Sequence, residues 1–246
     1  MRLLALIKLP LAHKIARLIT KIAIACNSYS YRLTLKNISL CLPNLKVSQQ
    51  QQLAQESICE TAKLALETPY LLFAKLERTL DYIKQVGGEQ HLQAALSQGN
   101  GVILLIPHIG NWEMVGWYIS AKYPFTAMYK PHLYPALNRI IKPARSKGGA
   151  TLVPTNASGI RALYNALKNN QVIGILPDQN PGSGAHLQVP FFNLSIATST
   201  LTAKLVAKTK ATVLIACAIR NTTSTGFHLQ LHPANPSINT DIARAT

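Results

Sequence analysis

From Gly101 onward, short aliphatic runs alternate with stretches whose apolar residues recur at helical intervals. The runs "GVILLIP" (101–107), "FTAMY" (125–129), "TLVP" (151–154), "VIGILP" (172–177) and "TVLIACAIR" (212–220) predict strands. Helical patterns lie between them at 111–120, 134–147, 158–170 and 199–210. Strand and helix in alternation predict an α/β fold with a mostly parallel central sheet flanked by helices. The runs are apolar on successive residues, as strands covered on both faces require. Upstream, 48–86 lacks glycine and places Leu53, Ile58, Ala62 and Leu66 at helical spacing, which predicts one or two helices ended by Gly87 and Gly88. The long stretch 178–199 carries neither period, and a loop of that length in a compact domain is often functional.

The amino-terminal stretch 9–26, "LPLAHKIARLITKIAIAC", is interrupted by Lys14, Arg17 and Lys21, so it is too broken to span a bilayer, which needs about 20 apolar residues. At about 100° per residue those cations share one arc with His13 beside them, and Leu11, Ile15, Leu18, Ile19 and Ile22 gather largely opposite. Such a helix suits the membrane interface; it equally suits packing on the domain with its charges in solvent. Charge running through the apolar stretch argues against a signal peptide. The expected organisation is a membrane-associating segment over 1–36 and one domain over 37–246.

With 246 residues, 48% of them hydrophobic, the chain is long enough for one substantial core. Its 25 Lys and Arg against 9 Asp and Glu give a net charge of +16, which points to polyanionic partners: nucleic acid, an anionic membrane face, or an acidic carrier or substrate. The basic residues are not interleaved with aromatics and no nucleic-acid motif is present, so nucleic acid is the weakest of the three. Cys26, Cys41, Cys59 and Cys217 have no metal-ligand spacing, so no metal is expected and reduced thiols are the simpler reading.

Acids are scarce enough to be informative. None occurs from Met1 to Gln55, and between Gln90 and Thr240 only Glu113 and Asp178 remain. Glu113 follows His108 by five residues in "HIGNWE", at the carboxyl end of the 101–107 strand, where Gly110 permits a turn and Asn111 suits a helix N-cap. Five residues along one helix differ by about 140°, so the pair meets only if His108 lies on the loop. A carboxylate holding one imidazole nitrogen leaves the other free to take a proton from a hydroxyl. The alternative is an acid that merely stabilises a helix start beside an incidental histidine. There is no GxSxG and no phosphate loop, so in an acyl transfer the acceptor's own hydroxyl would be the nucleophile.

"HIGNWE" resembles the HxxxxD/E block of the lysophospholipid acyltransferase superfamily, in the form found in late lipid A biosynthesis acyltransferases. "NISLCLP" (37–43), "MYKP" (128–131) and "LPDQNPGSGAHLQVPFF" (176–192) resemble that family's other blocks in the same order, and together they cover about residues 1 to 235. The resemblance implies His108 as general base, Glu113 as its orienting partner, and Asn111, Lys130, Arg145, Asp178 and Gln179 as substrate-binding residues. Lys130 stands where the family more often has arginine, so a single ammonium replaces a two-pronged guanidinium. It further implies an acyl carrier protein thioester as donor, a hydroxyl of a Kdo-bearing lipid A precursor as acceptor, and no cofactor. The protein would be a monomer, peripheral or monotopic at the cytoplasmic face of the inner membrane. Members of the family usually continue beyond a point matching Thr246 into a segment carrying Trp and Arg, which this sequence does not contain.

Two other readings follow from the same residues. One keeps the chemistry but takes a lysophospholipid or glycolipid acceptor; the other is a non-catalytic basic membrane-binding protein. The run Arg139, Lys142, Arg145 and Lys147 is either a solvated face or a contact for phosphates and an acidic carrier. Phe191 and Phe192 are expected in the core or lining an acyl groove.

Overall fold

The computed structural model describes residues 7–182, 184–192, 194–235 and 238. They fall into two units: one holds the amino-terminal helices with Pro190–Ile196 and Thr222–Thr225, the other holds Lys75–Val189, Ala197–Asn221 and the described chain from Gly226. Met1 to Leu6 of the expected membrane segment, and Asp241, lie outside the described residues.

The first unit is built from α1 (Leu9–Ala25), α2 (Tyr29–Cys41) and α3 (Val47–Phe73). Pro10 opens α1, where its missing N–H costs nothing, and Ser28 caps α2 by accepting from the Tyr31 amide. Lys36 sits inside α2, and Tyr31, Ala54 and Ile58 join α2 and α3 in one core cluster. α1 turns Leu9, Ala12, His13, Ala16 and Thr20 inward against α3. His13 is therefore not on the solvated cationic arc: it is buried and hydrogen-bonded to the fully buried Glu67 of α3. The small Ala12 and Ala16 flanking it admit the close helix approach that this pair needs. Leu11, Leu18, Ile19 and Ile22 remain exposed together with Lys14, Arg17 and Lys21. Among the described residues no helix is long and apolar enough to cross a membrane.

The second unit is a seven-stranded sheet in the order β1-β9-β8-β2-β5-β3-β4, from β1 (Ile83–Gly87), β2 (Val102–Leu105), β3 (Phe125–Tyr129), β4 (Thr151–Pro154), β5 (Val172–Ile175), β8 (Thr212–Arg220) and β9 (Phe227–Pro233). All neighbours run parallel except β8 and β9. The helices α4 (Leu76–Leu80), α5 (Glu89–Ser97), α6 (Trp112–Lys122), α7 (Pro135–Arg145), α8 (Ala157–Lys168) and α9 (Leu201–Thr209) connect the strands. The expected mixed α/β fold with a mostly parallel, helix-flanked sheet is what forms. Val102, Ile103 and Leu104 are wholly buried in succession, since β2 is central and covered on both faces. Ile103, Leu163, Leu167, Ile173, Leu205 and Val213 interlock in one core cluster.

Three segments differ from the sequence expectation. Ile83–Gly87, read as helix, is an edge strand, because β9 offers it a parallel partner. β9 itself follows β8 as an antiparallel return. Within the unpatterned 178–199 region, β6 (His186–Phe191) pairs with β7 (Leu194–Ser199), and Phe191 and Phe192 are exposed with their rings edge to face at 4.8 Å. They are not core residues, since each is about half exposed.

Candidate active site

β2 and β5 are neighbours in parallel register, Val102 opposite Val172 through Leu105 opposite Ile175, so the loops leaving their carboxyl ends emerge side by side. The Ile106 amide donates to the Ile175 carbonyl at 2.8 Å and extends the pairing by one step. After Pro107 the first loop turns through Gly110 at φ 65°, and the Asn111 amide donates to the Ala218 carbonyl of β8 at 2.9 Å. Any Cβ at position 110 would stand 2.1 Å from that carbonyl oxygen, so glycine is required for both the left-handed backbone and the close approach.

This adjacency gives His108 its partner. Asp178 Oδ1 lies 2.8 Å from Nδ1, and Asp178 Oδ2 accepts the His108 backbone amide at 2.8 Å. A carboxylate only accepts, so Nδ1 carries the proton and Nε2 is left as an acceptor; the Gln179 side-chain nitrogen stands 3.1 Å from it. Burial works to raise the Asp178 carboxyl, but the hydrogen bonds from His108 outweigh it and hold the group below its ordinary pKa. The ring of Trp112 stands edge-on to the imidazole, with centroids 5.3 Å apart.

Glu113 is not the imidazole's partner. It sits in the first turn of α6, nearly buried, and both of its oxygens accept from Arg145 at the end of α7: Nε at 2.8 and 3.0 Å and Nη2 at 2.6 Å. The expected His108–Glu113 contact is replaced because the guanidinium occupies the carboxylate while β5 supplies Asp178 to the histidine. Burial pushes the Glu113 carboxyl up, with Arg145 acting in the opposite direction. Arg145 also stacks over Trp112 at 4.8 Å and Tyr129 at 5.7 Å, so an ion pair and two aromatic faces fix its guanidinium.

The basic run around α7 is divided by the helix. Arg139 and Lys142 are exposed, whereas Arg145 and Lys147 turn inward. Lys147 donates to Thr79 Oγ1 at 2.7 Å and lies over the Trp117 ring at 4.3 Å, and burial lowers its pKa to about 8 against the pull of Glu113 and Glu77.

A cavity of about 1240 Å³ opens beside these groups, lined by His108, Glu113, Lys130, Arg145 and Gln179 among others. Its walls include Leu105, Phe125, Met128, Leu152, Ile175 and Leu205, so an apolar interior meets a polar, cationic site. Asn111 is wholly buried and does not line the cavity; it holds the N-cap position through its backbone carbonyl, which accepts from the Met114 amide at 3.0 Å, and its side chain does not cap. The sequence reading did not find Trp112 and Tyr129 as the clamp on Arg145, since aromatic clamps leave no spacing signature. Among the described residues no three His, Cys, Asp or Glu side chains gather as a metal site would need.

The chain is 24% identical over 207 residues to the lipid A biosynthesis palmitoleoyltransferase of Escherichia coli, an alignment that covers 84% of this chain and 67% of that protein. A lipid A biosynthesis acyltransferase of Haemophilus influenzae is 23% identical over 206 residues, covering 80% and 62% respectively. A phosphatidylinositol mannoside acyltransferase of Mycobacterium tuberculosis is 29% identical over 183 residues, covering 72% and 56%. The alignments thus take in between 56% and 67% of these relatives' lengths. The model of the bacterial lipid A biosynthesis acyltransferases matches residues 1–246, and the chain belongs to that family of acyltransferases.

Proposed function

We propose that this protein transfers a fatty acyl chain from an acyl carrier protein thioester to a hydroxyl of a Kdo-bearing lipid A precursor. The observation that carries the reading is His108: Nδ1 is committed to Asp178, while Nε2 keeps its lone pair at the mouth of a largely apolar cavity. An acceptor hydroxyl replaces the Gln179 amide at Nε2 and gives up its proton as its oxygen attacks the thioester carbonyl. The tetrahedral intermediate then collapses with cleavage of the carbon–sulfur bond, and the departing thiolate takes that proton from the imidazolium. Asp178 fixes the tautomer and stabilises the transient cation.

Glu113 has a different task in this reading. It holds Arg145, which with Lys130 meets the phosphate of the acceptor. In this reading the protein works as a monomer on the cytoplasmic face of the inner membrane, where its lipid acceptor resides, and the exposed apolar and cationic side chains of α1 support the membrane contact. The names of the Escherichia coli and Haemophilus influenzae relatives support a lipid A precursor as acceptor.

The test is acyl transfer from loaded acyl carrier protein to a lipid A precursor in detergent, with His108→Ala as the inactive reference. Turnover retained in that variant sinks the mechanism. Mass spectrometry of lipid A from cells with and without the gene identifies the acceptor. The phosphatidylinositol mannoside acyltransferase similarity favours one second reading, a glycolipid acceptor at the same site. Unchanged lipid A in the deletion strain, with a glycolipid lacking one acyl chain, selects it.

A further inference from the structure

Four cations line the cavity without an ion-pair partner among the described residues: Lys130, Arg161, Lys204 and Lys208. Lys130 follows β3, on the strand that also places Tyr129 against Arg145. The other three come from helices packed on each other, α8 and α9. Ala157, Ile160, Arg161 and Tyr164 of α8 face the cavity, and so do Leu201, Lys204, Leu205 and Lys208 of α9. Both sets follow the i, i+3, i+4, i+7 pattern of a single helix face, so each helix presents one stripe that mixes apolar side chains with cations, one on α8 and two on α9. A purely solvated charged face would not carry Ile160 and Leu205 in the same stripe. Neither helix contains an acid, and Asp178 and Glu113, the acids between Gln90 and Thr240, are taken by His108 and Arg145.

We infer that Arg161, Lys204 and Lys208 form a second anion subsite in the cavity, distinct from the Arg145 and Lys130 site, and that its ligand is a phosphate ester with an apolar or extended arm. The guanidinium supplies paired donors to phosphate oxygens and the two ammonium groups supply charge, while the apolar members of the stripes take the arm. The phosphate has two possible sources under the proposed reaction: the phosphopantetheine arm of the donor, or a phosphate of the glycolipid acceptor. Only that choice of source rests on the acyl-transfer reading; phosphate binding does not require turnover.

Trp112 and Trp117 both line the cavity, so quenching of their fluorescence reports binding. The probes are phosphopantetheine, pantetheine without the phosphate, and a phosphorylated glucosamine-disaccharide lipid in detergent, each titrated at two salt concentrations. The combined variant Arg161→Gln, Lys204→Gln, Lys208→Gln is expected to bind a phosphate-bearing probe about tenfold more weakly, the sum of three exposed ion pairs, with pantetheine unaffected. The combined variant Arg161→Lys, Lys204→Arg, Lys208→Arg should keep the affinity. A charge-matched control, Lys36→Gln, Lys46→Gln, Lys75→Gln, separates the subsite from the overall positive field and should also keep it. Weakening confined to phosphopantetheine assigns the subsite to the donor, and weakening confined to the lipid assigns it to the acceptor. No weakening for either probe, or an equal loss in the control, overturns the inference. Phosphate binding that depends on these residues in a protein without acyl transfer would leave the subsite standing and remove the proposed reaction instead.

Discussion

Asp178 meets His108 twice, at Nδ1 and at the backbone amide, both at 2.8 Å. This fixes ring and loop together, so Asp178→Asn should leave the fold intact and lower kcat by about 10²–10⁴-fold, the range for general acid–base catalysis. The amide can present its nitrogen to Nδ1 and favour the wrong tautomer. Because the Asp178 pKa lies below its unfolded value, its contribution to stability is present above the ordinary carboxylate range and is lost as pH falls through the folded value. The stability advantage of wild type over Asp178→Asn in urea unfolding followed by circular dichroism should therefore hold at neutral pH and shrink as pH falls below about 4. Equal kcat for the two proteins would remove Asp178 from the mechanism.

Glu113 and Arg145 should behave as a structural pair with a binding role. Arg145→Ala leaves a nearly buried carboxylate without its guanidinium, a loss of about 3–5 kcal/mol for such pairs, measurable by urea unfolding. Glu113→Gln with Arg145→Gln should recover part of that loss, because no isolated charge stays buried. In kinetics, Glu113→Gln should act mainly on KM for the acceptor and leave the pH profile of kcat in place, unlike a residue bonded to the imidazole.

The two carboxylates also show where sequence reading stops. Counting charges singles out Glu113 and Asp178 as the acids between Gln90 and Thr240, and both are in the site. The assignment of Asp178 to His108 depends on β2 lying beside β5, a neighbour relation 70 residues apart in the chain, and that of Glu113 to Arg145 depends on α6 meeting α7. Strands β2, β5 and β8 are readable because covered strands are nearly continuous aliphatic runs, and β3 and β4 because short β-rich runs stand between helical patterns. β1 and β9 are not, since "IKQVG" and "FHLQLHP" mix polar residues into half-covered positions. His13 misled because helical geometry gives the arc of a side chain but not which arc another helix will cover.

Gly110→Ala should displace the loop that carries His108. The left-handed backbone costs alanine about 1–2 kcal/mol, and the overlap with the Ala218 oxygen must also break the Asn111 bond to β8, for about 1 kcal/mol more. Gly182 offers a control: it has φ 61° but open space around its Cβ position, so Gly182→Ala should show the backbone cost alone. Thermal unfolding should rank the two variants in that order, and only Gly110→Ala should lose activity.

Lys147 should make stability rise with pH on the alkaline side. Its folded pKa of about 8 lies below the ordinary 10.5, so the unfolded chain binds the extra proton between those values. The stabilisation is fully present above 10.5 and is lost as pH falls through about 8. Lys147→Met keeps the packing on Trp117 without the charge, and the difference between the two proteins should shrink by about 1–3 kcal/mol between those pH values, solvent screening included. A pH-independent difference would show that the ammonium is not desolvated.

The face of α1 opposite His13 sets the last expectation. Pairing with Glu67 commits the Ala12, His13, Ala16 and Thr20 face to α3, so the exposed Leu11, Leu18, Ile19 and Ile22 are available to a bilayer. Burying one such side chain contributes about 1.5–3 kcal/mol, and each nearby cation adds about 1 kcal/mol at an anionic surface. Leu18→Asp with Ile22→Asp should therefore lower retention on anionic vesicles at least about tenfold while far-ultraviolet circular dichroism is unchanged. Lys14→Gln, Arg17→Gln and Lys21→Gln together should weaken retention only at low salt, because screening already removes their contribution at high salt. Retention indifferent to both sets would place the membrane contact elsewhere than on α1.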